Sequence, residues 1–259
     1  MLLRRETEAG QAKQSAEQVG FRRTRRDMSF GLKGLDYVAL AVFIACWLGT
    51  DWLIAHHARS KPGVHDLIRP LRTEWMRQAQ LRDIRIADAG LIGHLIHSAT
   101  FFVSTTALIL LGLVALLGAA EKSVGIVQNL PFAFEVSAQG VETKTLVLVL
   151  VLVVAFFRFT WSLRQFNLVT IYLGAMPAPA QAGDREWRSV AQAGRLMDLA
   201  GDNFTKGLRT YLFALPAIFW FAHPALFIVG SAVVAGVIYR MDFHSRTLAA
   251  MRDEQPGKD

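Results

Sequence analysis

Cysteine is almost missing from this chain. Its one example, Cys46, lies inside an apolar run. An intramolecular disulfide is therefore impossible, and metal clusters built on cysteine are excluded. Charge is also scarce: 19% of residues are Asp, Glu, Lys or Arg, against about 25% in soluble domains, and they are gathered into blocks. No phosphate-binding loop, no Gly-x-Ser-x-Gly elbow and no Cys–His pair is present. No His-Glu-x-x-His or c-type haem motif accompanies the histidines. Ser98, Ser104 and Ser162 have no base assigned to them. The sequence thus supports no enzyme class and points to no cofactor.

What the chain has instead is apolar length. Of its 259 residues 53% are hydrophobic, mean hydropathy is +0.31, and several uncharged runs approach 20 residues. This composition predicts an all-α, integral membrane helical bundle. The net charge of +7 fits positive-inside topology and anionic lipid headgroups better than nucleic acid.

Residues 1–34 are polar and hold eight Lys or Arg, including Arg22-Arg23-Thr24-Arg25-Arg26. They read as a basic, disordered extension without a signal peptide. One membrane domain follows over 35–243, and a polar tail over 244–259. Within the domain we expect five spans. The first is Leu35 to Ala55, bracketed by Asp36 and Asp51, with Trp47 and Trp52 near one end. Pro62-Gly63 and Pro70 should break the segment after it. No proline interrupts 71–118, which predicts one long helix. Its basic amphipathic start leads into the second span, Ser98 to Ala120. The loop 121–142 precedes the third span, Thr143 to about Leu173. A second mixed helix from about Glu186 reaches apolar sequence by Leu208. The region Tyr211 to Tyr239 is long for one span and short for two. Proline disfavours helix in the residue before it, so a break at His223-Pro224 predicts spans at Thr205–Phe221 and Pro224–Tyr239. The alternative is four spans, the last kinked there.

With five spans the basic loops 56–97 and 174–208 and the C-terminal tail share a side, which the positive-inside rule places in the cytoplasm. The eight basic residues of the N-terminal tail oppose this, unless translation starts at Met28. Each half also carries a span with a Trp (Trp47, Trp161), then an amphipathic stretch with an Asp (Asp88, Asp198), then an apolar span. That pattern is compatible with an internal repeat of the kind found in transporters.

The third span carries the most pointed signal. Lys144 and Arg158 are separated by 13 uncharged residues, about 20 Å of helix at roughly 1.5 Å per residue. A bilayer core is about 30 Å thick. Arg158 therefore falls inside it, and Arg164 near its far edge. A charge there is costly and marks a functional candidate. Asp51 lies between these arginines in height, so an Asp51–Arg158 or Asp51–Arg164 pair is available. Thr160, Arg164 and Asn167 share one helical face, and Arg158, Trp161 and Gln165 another. Asp88, His94, His97, Asp198 and Asn203 precede spans on the same side. Two readings stay open. One is a pocket for a small anionic solute or lipid headgroup, with Arg164 as the anion holder. The other is a scaffold in which these residues only hold helices together. His94 and His97 have metal-ligand spacing, but nothing else supports a metal, and none is assigned. A homo-oligomer stays open.

The string Phe157-Arg158-Phe159-Thr160-Trp161-Ser162-Leu163-Arg164-Gln165-Phe166-Asn167 resembles the hallmark of an uncharacterised family, domain of unknown function 599. Further matches follow in order: Asp36 with Cys46-Trp47, Trp75-Met76 with Ile86-Ala87-Asp88, Ser98 with Phe101-Phe102 and Ser104-Thr105, Asn203-Phe204 with Gly207-Leu208-Arg209, His223-Pro224, and Tyr239-Arg240. The resemblance covers Leu35 to Phe243. It implies a multi-pass membrane protein, here of a bacterial inner membrane, with residues 1–34 as an extension. It implies no activity. An Asn is common in the family where His94 stands, and an Arg near His97, which weighs against a metal role.

Overall fold

The computed structural model describes residues 32–59, 61–118, 137–179 and 184–253. The basic extension, Met28, most of the loop 121–142 and the end of the C-terminal tail lie outside them. The described residues form seven helices and no strand: α1 Gly34–His57, α2 Val64–Leu81, α3 Ile86–Gly118, α4 Ala138–Ala175, α5 Asp184–Phe219, α6 Pro224–Phe243 and α7 Arg246–Asp253. Four stretches are long and apolar enough to cross a membrane: Gly34–His57, Ile86–Gly118, Ala138–Ala175 and Pro224–Met251. The fifth expected span is the C-terminal half of α5, which carries Lys206 and Arg209. His223-Pro224 is a full break between helices. Pro224 takes the first turn of α6, and His223 caps it, its Nδ1 accepting from Ala225 N at 3.0 Å. Gly230 lies against Pro216, and Arg209 reaches Asp242, so α5 and α6 form an antiparallel hairpin.

The spine is the antiparallel pair α4–α5. Lys144 meets Trp220, Phe159 meets Phe204, Ser162 meets Ala200, and Tyr172 meets Gln192. These helices have 38 and 36 residues, about 57 and 54 Å at 1.5 Å per residue. A bilayer core of about 30 Å cannot cover them, so both project beyond it. Close approach needs Gly207: a methyl there would sit 2.9 Å from the Phe159 ring.

Two apolar cores share this spine. The first joins α1, α4, α5 and α6 through Phe43, Leu148, Val151, Phe213, Trp220 and Phe227. The second joins α2 and the start of α3 to the projecting part of the spine through Met76, Ile92, Phe166, Val169, Val190 and Met197. The first core therefore lies among the long apolar helices, and the second at the end of the spine that α2 covers.

The expected continuous helix over 71–118 does not form. The chain leaves α2 at Arg82, whose backbone is extended, and restarts at Ile86. Arg85 holds the turn. Its guanidinium donates to the carbonyls of Ala79 at 3.0 Å and of Met176 and Pro177 at 2.6 Å. One cation thus binds carbonyls at the ends of both α2 and α4, where the Ala79 carbonyl otherwise has only a long bond from Arg82 N at 3.4 Å. Pro70 lies inside α2 and does not end the helix.

Candidate functional site

On α5, Asp198, Asp202, Lys206 and Arg209 recur at intervals of four, four and three, which puts them on one face. That face meets α2 at one end and α1 with α6 at the other. Arg69 Nε and Arg72 Nη1 bond the two oxygens of Asp198 at 2.9 and 3.0 Å. Lys206 bonds Asp202 at 2.7 Å. His65 Nε2 lies 3.9 Å from Asp198 and 3.8 Å from Asp202. Further along, Arg209 lies between Asp51, at 3.4 Å, and Asp242. Two guanidiniums on one carboxylate leave a positive charge in surplus. One guanidinium between two carboxylates leaves a negative one. His65 stands between these two halves.

A second ionic layer closes the other end of the bundle. Asp36 Oδ2 accepts from Lys33 N at 3.0 Å and so caps α1. Its Oδ1 accepts from Trp220 Nε1 at 2.7 Å and pairs with Lys144 at 3.2 Å. Lys144 also donates to the Trp220 carbonyl at 3.1 Å and lies over its ring. Asp36 and Asp51 are 15 residues apart on α1, about 22 Å at 1.5 Å per residue. The two layers therefore sit near opposite sides of the apolar core. Both latch α1 to the spine, and the Arg209 layer latches α6 as well.

The expected site residues are distributed as follows. Asp51 pairs with Arg209, and the anticipated pair with Arg158 or Arg164 is not formed. Arg158 is half-buried beside Gly207. Trp161, Arg164 and Asn167 face outward, with the Arg164 guanidinium 5.0 Å above the Trp161 ring. Gln165 is buried and accepts from Asn203 Nδ2 at 2.9 Å. Asp88, fully buried, accepts from Trp75 Nε1 at 2.7 Å and from Arg82. Its Oδ2 has no partner among the described residues. Asp88 and Asp198 thus pin α2 from two sides. His94 and His97 are exposed on α3, and among the described residues no group of three His, Cys, Asp or Glu could hold a metal. The outer face of α2 is solvated: hydrogen bonds from Arg77 and Gln78 hold the Glu74 carboxyl down to about 2.

One cleft of about 130 Å³ opens beside this cluster, where α2, α3, α4 and α5 meet. Arg72, Trp75, Ser98 and Thr205 give it polar groups, and Leu95, Phe166, Met197 and Phe204 its apolar walls. Gly201 makes room for Arg72, since a methyl there would lie 2.3–2.7 Å from the guanidinium atoms. A broader groove of about 470 Å³ between α1 and α6 has no charged lining residue.

The family described as "Protein of unknown function, DUF599" matches residues 38–247. The chain belongs to this family. No curated protein and no solved structure matches it. The DUF599 match takes in the whole Arg209 layer, the Arg72–Asp198 cluster and the cleft, and begins two residues after Asp36. The sequence reading missed Arg72, Arg209, Asp242 and His65 as members of a site. The spacing of charges on α5 was a legible signal for Arg209. Nothing in the spacing marked Arg72, because its role depends on how α2 docks.

Proposed function

We propose that this DUF599 protein binds, and moves or presents, an anionic ligand at its basic end, and that this end faces the cytoplasm of a bacterial inner membrane. The ligand is a small anionic solute or a lipid headgroup. The observation that carries this reading is the surplus positive charge of Arg69 and Arg72 on Asp198, beside a cleft with Arg72 in its lining. A guanidinium left with donors to spare favours carboxylate or phosphate. The anion holder is then Arg72, in place of the outward-facing Arg164.

A second reading has its own support. Asp51, Asp88 and Asp198 each tie different helices together, as a non-catalytic scaffold would use them. One comparison separates the two. Wild type and Arg72→Gln are purified in mild detergent, and co-purifying metabolites and lipids are compared by mass spectrometry. The first reading expects an anionic species that is retained by wild type and lost by a variant that still folds. Equal extracts from a variant that melts at a lower temperature would support the scaffold.

A further inference from the structure

Resting on that anion-binding reading, we infer that the ligand is a phospholipid that enters sideways from the bilayer. Its phosphate would sit at Arg72 and its acyl chain would leave between α3 and α5.

Depth is the first support. Gly201 and Thr205 of α5 lie 19 and 15 residues before Trp220, which directly follows that helix, about 28 and 22 Å at 1.5 Å per residue. Trp220 belongs to the ionic layer at the opposite end. In a core of about 30 Å the cleft is therefore level with the headgroups at the basic end. A free solute would be met more readily at a pocket open to water.

The shape of the opening is the second. α3 packs chiefly on α4; towards α5 its Phe102 ring lies against Phe204 and Tyr211 at 5.5 and 6.0 Å, and Ile92 and Ala99 join the second core with Met197 and Ala200. Ser98 and Leu95 lie one and two turns nearer the basic end and are exposed. This leaves a window between α3 and α5, closed on the deep side by the rings and on the basic side by Arg72 and Trp75 of α2. The surface beyond the window is apolar: Phe101 is 59% exposed and Leu108 69%.

Chemistry and size agree. The surplus guanidinium suits a phosphodiester anion; at the rim the Trp75 indole already donates to Asp88, and the Ser98 and Thr205 hydroxyls to the carbonyls of His94 and Gly201, so the contact with the anion rests on Arg72. A cleft of about 130 Å³ holds a phosphate and a few carbons but no whole lipid. The chains must lie outside it, along the apolar face. A headgroup site of this kind is the usual company of basic clusters between membrane helices.

Gly201→Ala provides a clean test. The nearest atoms its added methyl meets are the flexible end of Arg72, so the fold should survive while the guanidinium moves. Wild type, Gly201→Ala, Arg72→Gln and Leu95→Trp are placed in phosphatidylcholine nanodiscs containing a phosphatidylglycerol with a photoreactive diazirine near the head of one chain. Adducts are mapped by peptide mass spectrometry, with and without excess inorganic phosphate. We expect wild type to label around Leu95 and Phe204, and phosphate to compete poorly. Gly201→Ala and Arg72→Gln should label about ten-fold less, the worth of one charge-assisted contact. Leu95→Trp, which fills the window, should also lose labelling. If phosphate abolishes labelling and Leu95→Trp is without effect, the lipid assignment fails and a free anion remains. If Arg72→Gln labels as wild type does, the anion-binding reading fails with it.

Discussion

Lys144 shows how much a single buried charge can hold. It is 4% exposed, and its partner Asp36 is 7% exposed. Together with Trp220 they join α1, α4 and the turn between α5 and α6. Removing one partner leaves the other buried and unpaired. Lys144→Met should therefore cost about 3–5 kcal/mol, and adding Asp36→Asn should recover part of it. Thermal melting of the three proteins in one detergent checks this; equal melting of wild type and Lys144→Met would deny the pair a structural role. Asp51 teaches the opposite lesson about sequence. Its height on α1 was legible, and so was that of Arg158 and Arg164 on α4. Height did not say which way each side chain points around its helix. Arg209, at a similar level on α5, faces Asp51, while Arg164 turns outward onto Trp161.

At the scale of elements, α2 decides whether a site exists. It is short, amphipathic and polar outside, and Thr73 packs on Gly194 while Arg72 lies over Gly201. Asp88 and Asp198 hold it from two sides. The turn that frees it from α3 contains neither glycine nor proline: it reads Arg82-Asp83-Ile84-Arg85. Local propensity therefore favoured one continuous helix, and a tertiary contact, Arg85 on the end of α4, overrode it. Arg85→Ala should loosen both ends at once. Amide hydrogen exchange at 79–88 and 174–178 should rise about ten-fold, while 145–157 stays protected. Unchanged exchange at 174–178 would mean that the end of α4 holds by itself.

In the whole molecule the described residues form two apolar cores on one antiparallel spine, with an ionic layer near each end of the first core. Its basic loops fall at one end, so charge should set its orientation. With Cys46 replaced by serine, a single cysteine at Asp83→Cys should react with a membrane-impermeant maleimide only after permeabilisation, and one at Gln139→Cys should react in intact cells. The reverse pattern would invert the molecule. The apolar runs, the polar blocks and the stop at His223-Pro224 were determined by sequence alone, because hydrophobic length and proline geometry act over a few neighbouring residues. The break at Arg82, the choice of Arg209 for Asp51 and the cleft at Arg72 were decided only in the tertiary structure. Each depends on contacts between helices far apart in the chain, and on the rotation of each helix about its axis, which composition does not encode.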